Sequence, residues 1–220
     1  MKLKNLKIDS PFFLAPMAGI TDSPFRRIMR RKKASLLFSE LISAMGLKNN
    51  CDKTKKIITF YEDEKPLGIQ IFGCNLEMLC YAARYAENLG ASFVDLNLGC
   101  SVPKVVRKGS GAALARDAIK LEKILTALVK SVKIPVSIKI RTGWDSSSRN
   151  AKEIVDIATQ SGISWATIHG RTSKQGYSGS ADWDFIGKIK QQSSIPIIGN
   201  GDLDTTQKAC QYLKNYNVDA

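Results

Sequence analysis

A thiol and a carboxamide sit at the end of one of the most apolar segments of the chain. Phe93–Leu98 alternates in the manner of a strand, and Gly99 and Cys100 follow it directly. Asn97 lies near the end of that strand. In α/β barrels, chemistry takes place just beyond the carboxyl ends of the strands, so this position favours a functional cysteine. A thiol buried as a small apolar side chain is the alternative interpretation.

The loop after Cys100 is basic and punctuated by glycine. It contains Lys104, Arg107 and Lys108, and then Gly109 and Gly111. Nearby cations are typical of reactive cysteines, and they also suit a phosphate-bearing ligand. We therefore interpret this loop as a mobile cationic flap beside the thiol.

Six predicted strands end in polar or otherwise unusual residues, which is more than turns alone require. These residues are Met17, Gln70, Asn97 with Cys100, Lys139 with Arg141, His169 with Arg171, and Asn200. The strand period of two places Lys139 and Arg141 on one side. His169 is interpreted as a ligand contact rather than a purely structural histidine. The segment Gly-Asn-Gly-Asp at 199–202 offers backbone N–H groups to a phosphate, although it is also an ordinary turn sequence.

Strands and helices alternate strictly along the chain. Strands are predicted at residues 12–15, 36–39, 66–73, 93–98, 135–141, 165–171 and 195–202. Helices are predicted to begin at Asp22 or Ser23, at Asn75, at Asp117 and near Asn150, with a further helix at 185–191 and a last one capped by Asp204 and Gln207. Nearly continuous apolar strands indicate a parallel sheet that is buried on both faces.

The spacing of these units predicts an α/β fold of the TIM (β/α)8 barrel type, incomplete, with about seven βα units. One unit per ~30 residues matches the repeat of such barrels. A doubly wound sheet is the competitor, but no early GxGxxG motif is present. We predict a single domain, 1–220, with no linker and no second domain.

Composition limits the classes of function. The chain has 220 residues and a formal net charge of +13, which favours a polyanionic partner, nucleic acid before an anionic membrane. The cationic residues 26–33 are one surface that phosphates could contact. Five scattered cysteines and one histidine argue against a zinc site and fit a reducing cytoplasm. No segment approaches the ~20 apolar residues of a membrane span.

Six ordered motifs resemble the tRNA-dihydrouridine synthases, most closely the bacterial B-type subgroup. They are Ala-Pro-Met-Ala-Gly-Ile-Thr-Asp at 15–22, Gln-Ile-Phe-Gly at 70–73, Asp-Leu-Asn-Leu-Gly-Cys at 95–100, Ser-Ile-Lys-Ile-Arg at 137–141, His-Gly-Arg-Thr at 169–172 and Gly-Asn-Gly-Asp at 199–202. The resemblance implies an FMN-dependent barrel oxidoreductase that reduces the 5,6 double bond of uridine in tRNA with NADPH or NADH. It departs from the family at Ser101, where proline is usual.

The resemblance also implies roles for individual residues. FMN is expected to be held by Pro16, Met17, Ala18, Gln70, Lys139, His169, Asn200, Gly201 and Asp202. Cys100 is expected to be the proton donor. The uracil is expected to contact Asn97, Arg141 and Tyr177.

Family members continue into an eighth strand and a C-terminal helical tRNA-binding domain, which we expect to be absent from this chain. The expected barrel is therefore one unit short, with unpaired edges at 12–15 and 195–198. Two alternatives stay open: an inactive, truncated remnant, and a flavin barrel acting on small pyrimidines in the manner of dihydroorotate dehydrogenase.

Overall fold

Strands and helices alternate along residues 2–220, which this computed structural model describes. Met1, part of the predicted domain 1–220, lies outside the described residues. The strands of this part of the chain are β1 (Lys2–Leu3), β2 (Leu6–Lys7), β3 (Leu37–Phe38), β4 (Ile42–Ser43), β5 (Leu67–Phe72), β6 (Phe93–Leu98), β7 (Val136–Arg141), β8 (Ala166–His169) and β9 (Ile197–Asn200). Its α-helices are α1 (Ser23–Arg31), α2 (Ala44–Lys48), α3 (Asp52–Ile58), α4 (Leu76–Asn88), α5 (Pro103–Val106), α6 (Ala118–Ser131), α7 (Ala151–Gln160), α8 (Trp183–Gln191) and α9 (Thr206–Tyr216).

A curled parallel sheet forms the centre of the fold. Its strands are hydrogen-bonded in the order β3, β5, β6, β7, β8, β9, which is also their order in the chain. Both β3 and β4 pair with β5. Leu37 of β3 lies opposite Leu67, and Ile42 of β4 lies opposite Ile71, further along β5. β3 and β4 are therefore two halves of one strand position. The six positions form part of a barrel wall, which confirms the predicted incomplete barrel.

Helix starts follow the predicted capping residues, with one exception. The side chains of Asp22, Asn75 and Asp117 each accept a hydrogen bond from a first-turn N–H group of the helix that follows. The predicted cap of the last helix at Asp204 is wrong. Thr205 caps α9, accepting a bond of 3.2 Å from the N–H of Lys208, because the helix begins one residue later than the prediction requires.

The lumen of the curled sheet has an apolar floor built from aromatic rings. Phe93 packs edge-on against Phe38 and Trp165, with ring centroids 5.1 Å and 5.0 Å away. Gly68 leaves room for the Phe93 ring, since a Cβ at this position would lie 2.0 Å from it. The antiparallel hairpin of β1 and β2 closes the floor with Leu3. The hairpin is not among the predicted elements because each of its strands is two residues long.

The predicted strand at residues 12–15 is wrong in its extent. The structure has a single parallel bridge here, between Phe13 and Leu36. Pro11 and Pro16 flank the segment. Because proline has no N–H group to donate, each of these two residues limits the ladder at its own position.

The expectation that residues 195–198 form an unpaired edge is also wrong. The N–H of Asp219 donates to the carbonyl of Ile197, and the N–H of Gly199 donates to the carbonyl of Ala220, each at 2.9 Å. The Asp219 carboxylate also accepts hydrogen bonds from Ile197 N and Lys190 Nζ. These bonds satisfy much of the β9 edge. A groove of about 400 Å³ separates this edge from residues 11–16.

Candidate active site

Polar side chains on neighbouring strands form three levels above the apolar floor. Strand register aligns Gln70, Asp95 and Ser137 at the lowest level, Asn97, Lys139 and Thr167 above them, and Arg141, His169 and Asn200 at the top. Alternate residues of a strand share a face, so the levels stack within the lumen. The structure therefore brings together the predicted site residues of β5 to β9.

Cys100 lies two residues past the end of β6, and it is a free, partly exposed cysteine. Its N–H donates to Asn97 Oδ1 at 2.9 Å, and its carbonyl accepts from the N–H of Ala112 at 3.0 Å. Gly111 makes this return of the loop possible: its φ is +61°, and a Cβ there would lie 2.6 Å from the Cys100 carbonyl oxygen. The backbone that presents the thiol is thus held on both sides.

The amides of Asn97 and Gln70 form a buried chain that leads to Cys100. Asn97 Nδ2 donates to Gln70 Oε1 at 3.0 Å, and Gln70 Nε2 donates to Asp95 Oδ2 at 2.7 Å. Asn97 is therefore left with one amide hydrogen for a ligand. Asp95 is not among the predicted site residues. Its position two residues before Asn97, on the same face of β6, is the signal that could have found it.

Lys139 is the central cation of the lumen. Its Nζ donates to Asn200 Oδ1 at 2.9 Å. Desolvation by the surrounding protein lowers the pKa of Lys139 to about 8, although the lumen leaves the side chain partly accessible. An ammonium group has three hydrogens, and only the one that faces Asn200 makes a hydrogen bond to a described residue. Lys139 can therefore donate to an anionic or electron-rich ligand.

His169 is neutral in this environment. Burial first, and then the positive charges of Lys139, Arg141 and Arg171, lower the pKa of His169 to about 3. Its Nε2 lies 3.4 Å from Arg171 Nη1. A guanidinium can only donate, so Nε2 accepts and the ring proton is on Nδ1. His169 can therefore offer a neutral N–H to a ligand.

Arg141 ties the cysteine loop to the loop after β8. Its Nε donates to the Gly99 carbonyl at 3.1 Å, and its Nη1 donates to the carbonyls of Thr172 and Gly176, each at 2.8 Å. Nη2 makes no hydrogen bond to residues 2–220. The guanidinium lies 5.8 Å from the ring centroid of Tyr177, a side chain that is 84% exposed. The two predicted uracil contacts, Arg141 and Tyr177, are thus neighbours.

Asp202 is one of the predicted cofactor residues, but its carboxylate already has partners within the protein. It forms an ion pair of 2.7 Å with the buried Arg171 and accepts the N–H of Ala181 at 2.7 Å. These bonds lower the pKa of Asp202, with the Ala181 contact contributing most. Arg171 also holds the loop after β8, through the carbonyls of Ser178 and Gly179. A ligand would therefore meet either the backbone of Asp202 or a carboxylate that already has two partners.

A turn that is held by hydrogen bonds involving Thr21 and Arg26 contains the predicted cofactor residues Pro16, Met17 and Ala18. The N–H of Met17 donates to Thr21 Oγ1 at 3.1 Å, and the Thr21 carbonyl accepts from Arg26 Nη1 at 2.7 Å. Pro16, Lys139 and Asn200 line the groove of about 400 Å³. The remaining predicted cofactor residues do not line it, so this groove covers only part of the expected cofactor site.

The cationic surface is smaller on α1 than the sequence suggests. Arg26 is buried against Glu64, Arg27 pairs with Asp63, and Arg30 donates to three backbone carbonyls. The side chain of Arg26 is therefore unavailable to a phosphate, and Arg27 and Arg30 already have partners. Phosphate contact by residues 26–33 stays a prediction. By contrast, Lys104, Arg107 and Lys108 beside Cys100 are exposed and form no ion pair with a described residue.

Between residues 2 and 220, no group of three or more His, Cys, Asp or Glu side chains is arranged to hold a metal ion. No helix in the described part of the chain has both the length and the apolar character needed to cross a membrane.

Comparison with known proteins gives consistent matches. The family model described as "Dihydrouridine synthase (Dus)" matches residues 13–220. The chain is 41% identical to a "Probable tRNA-dihydrouridine synthase" of Rickettsia bellii, covering all of this chain and 68% of that protein. It is 42% identical to "tRNA-dihydrouridine synthase B" of Pasteurella multocida, covering all of this chain and 66% of that protein.

These relatives are longer, and the chain spans about two thirds of their length. Among solved structures, a 2-naphthoyl-CoA reductase in complex with 2-naphthoyl-CoA superimposes with a TM-score of 0.71 at 12% identity. The match covers all of this chain and 48% of that one. At this identity the match bears on the fold alone.

Proposed function

The chain belongs to the dihydrouridine synthase family, and on that premise we propose that residues 1–220 form the FMN-binding barrel of a tRNA-dihydrouridine synthase. The proposed reaction reduces the 5,6 double bond of uridine in tRNA. The observation that supports it most is the partly exposed Cys100 thiol, presented by a fixed backbone beside a lumen of hydrogen-bond donors. A tRNA substrate implies a cytoplasmic setting.

The hydrogen-bond donors that line the lumen are of the kind that could bind a flavin. Lys139 has unused ammonium hydrogens above an apolar floor, and neutral His169 offers an N–H. The groove that Lys139 lines is within the usual range for ligand pockets of ~300–1,000 Å³. We assign FMN binding to Pro16, Met17, Ala18, Gln70, Lys139, His169, Asn200, Gly201 and Asp202, the last through its backbone. When bound, the flavin supplies C6 of the uracil with a hydride whose electrons come from NADPH or NADH.

Cys100 is the proposed proton donor. Addition of hydride at C6 leaves an electron pair at C5, and the S–H bond of Cys100 breaks as its proton forms the new C5–H bond. The thiolate that remains regains a proton from water. A thiol is ordinarily protonated at neutral pH, as a general acid must be.

The uracil is proposed to contact Asn97, Arg141 and Tyr177. Asn97 has one amide hydrogen free of bonds to described residues, and Arg141 has its Nη2 group. These donors match the carbonyl oxygens of uracil, and the exposed Tyr177 ring offers a stacking face. A uridine within folded tRNA must be flipped out to reach them. Lys104, Arg107 and Lys108 are placed to contact phosphates of such a substrate without reading its sequence.

Lys139→Ala is expected to weaken flavin retention. A hydrogen bond to a charged group contributes about 1.5–3 kcal/mol, so the dissociation constant for FMN should rise about 10-fold or more. Flavin fluorescence during titration of the apoprotein measures this. The exposed Lys120→Ala is the matched control and should bind FMN as the unmodified protein does. Equal affinities of the two variants would place Lys139 outside the cofactor site.

A substrate comparison tests the proposed function against its two alternatives. The flavin-loaded protein is mixed with NADPH and with unmodified tRNA, orotate or free uridine, and substrate-dependent NADPH oxidation is followed. We expect stimulation by tRNA. Stimulation by free pyrimidines alone would favour a small-pyrimidine oxidoreductase. Absence of flavin binding would favour an inactive remnant.

A further inference from the structure

A carboxylate that the proposed reaction does not use lies at the lowest polar level of the lumen. Asp95 has no exposed surface. Its Oδ2 accepts from Gln70 Nε2 at 2.7 Å and its Oδ1 accepts from Ser137 Oγ at 2.6 Å. Burial raises the pKa of Asp95 to about 6, and these hydrogen bonds and the Lys139 charge oppose the rise. Both carboxylate oxygens therefore act as hydrogen-bond acceptors in this structure.

An acceptor at this position fixes the direction of every bond that follows. Gln70 must turn Nε2 toward Asp95, which leaves Oε1 for Asn97. Asn97 must then turn Nδ2 toward Gln70 at 3.0 Å, which leaves Oδ1 for the backbone. That oxygen accepts from Cys100 N at 2.9 Å and from Gly99 N at 3.3 Å.

The two ends of the chain demand the same direction. A carboxylate can only accept and a backbone N–H can only donate, so the reversed arrangement would set donor against donor at Cys100. Asparagine in place of Asp95 could present either its oxygen or its NH₂ group to Gln70. Only the backbone N–H groups of Gly99 and Cys100 would then still favour the present direction of the two amides.

We propose that Asp95 is a positioning residue that acts through the Gln70 and Asn97 amides to hold the backbone of Gly99 and Cys100, and with it the reactive thiol. The value of this placement for catalysis rests on the proposed function. The hydrogen-bond chain itself does not, because it consists entirely of this protein's own residues.

Amide hydrogen exchange of the protein without flavin or tRNA tests the proposal directly. In Asp95→Asn we expect exchange at Gly99 and Cys100 to be about 10-fold faster, the scale of losing one hydrogen bond. Alkylation of Cys100 by iodoacetamide should also accelerate relative to the exposed Cys51 and Cys210, which serve as internal references.

Ser137→Ala is the matched control. It removes the other hydrogen bond to Asp95 and so raises the pKa of that carboxyl further. The variants are therefore compared at a pH above this pKa, where an acceptor still faces Gln70 and exchange at Gly99 and Cys100 should not change. A purely structural role for Asp95 predicts equal loosening in both variants, and that result would overturn the proposal. Unchanged local exchange in Asp95→Asn would overturn it as well.

If Asp95→Asn does not fold, Gln70→Met breaks the chain at its centre. The same local increase in exchange is then expected, and its absence would contradict the proposal. Dihydrouridine formation is measured separately. A protein that makes no dihydrouridine yet shows these exchange changes would refute the proposed function and leave the Asp95 inference standing.

Discussion

Replacing Cys100 by alanine is expected to lower the rate of dihydrouridine formation by about 100-fold or more, the usual scale for losing a general acid. C5 of the uracil must receive a proton after hydride addition, and Cys100 lies two residues past the end of β6, at the rim of the lumen. The side chain makes no contact that flavin binding requires in our assignment. FMN should therefore stay bound, and NADPH should still reduce it. Single-turnover assays with flavin-loaded protein and tRNA measure the two half-reactions separately.

Two further variants sharpen this test. Cys100→Ser keeps the approximate size of the side chain but replaces the thiol with a much weaker acid, so it should be nearly as slow as the alanine variant. Cys210→Ala changes an exposed thiol on α9 and should be unaffected. Full activity in both Cys100 variants would remove Cys100 from the reaction.

Removing the carboxylate of Glu64 is expected to lower the free energy of unfolding by about 3–5 kcal/mol, because it leaves a buried arginine without its counter-charge. Arg26 Nε lies 2.5 Å from Glu64 Oε2, and the two side chains are 1% and 0% exposed. Glu64 also accepts from Ser23 Oγ and from the N–H of Tyr61. Urea denaturation of Glu64→Ala measures the loss.

An adjacent ion pair, also between α1 and residues 62–64, provides a control. Arg27 and Asp63 are 2.7 Å apart but 44% and 51% exposed, and exposed pairs contribute about 0–1 kcal/mol. Asp63→Ala should therefore have little effect. Similar losses in the Glu64 and Asp63 variants would show that burial does not distinguish the two pairs.

The sequence predicts those strands well whose alternation of residues matches their burial in the sheet. β5, β6 and β7 are six-residue segments with apolar residues at alternate positions, and each has glycine or proline at one end or both. Their positions agree with prediction to within a residue or two. Elements of two residues, such as the strands of the β1–β2 hairpin, carry too little periodicity to be recognised. The pairing of Asp219 with Ile197 joins residues far apart in the chain, and local pattern does not encode it.

The same limit applies to charged residues of the candidate site. Arg26 looks like any cation of a basic helix, but its partner Glu64 lies 38 positions away in the chain. Asp202 reads as part of a phosphate-binding turn, but its carboxylate is paired with Arg171, 31 positions away. Strand alternation, by contrast, correctly groups Lys139 with Arg141, because that relation is local.

The most direct test of the account is the mass of uridine in tRNA after incubation with this protein, FMN and NADPH. We predict nucleosides that are heavier than uridine by two hydrogens, formed in step with NADPH oxidation and absent with the Cys100→Ala variant over the same time. Unchanged tRNA from a protein that binds flavin and oxidises NADPH would contradict the assignment of this chain to dihydrouridine synthesis.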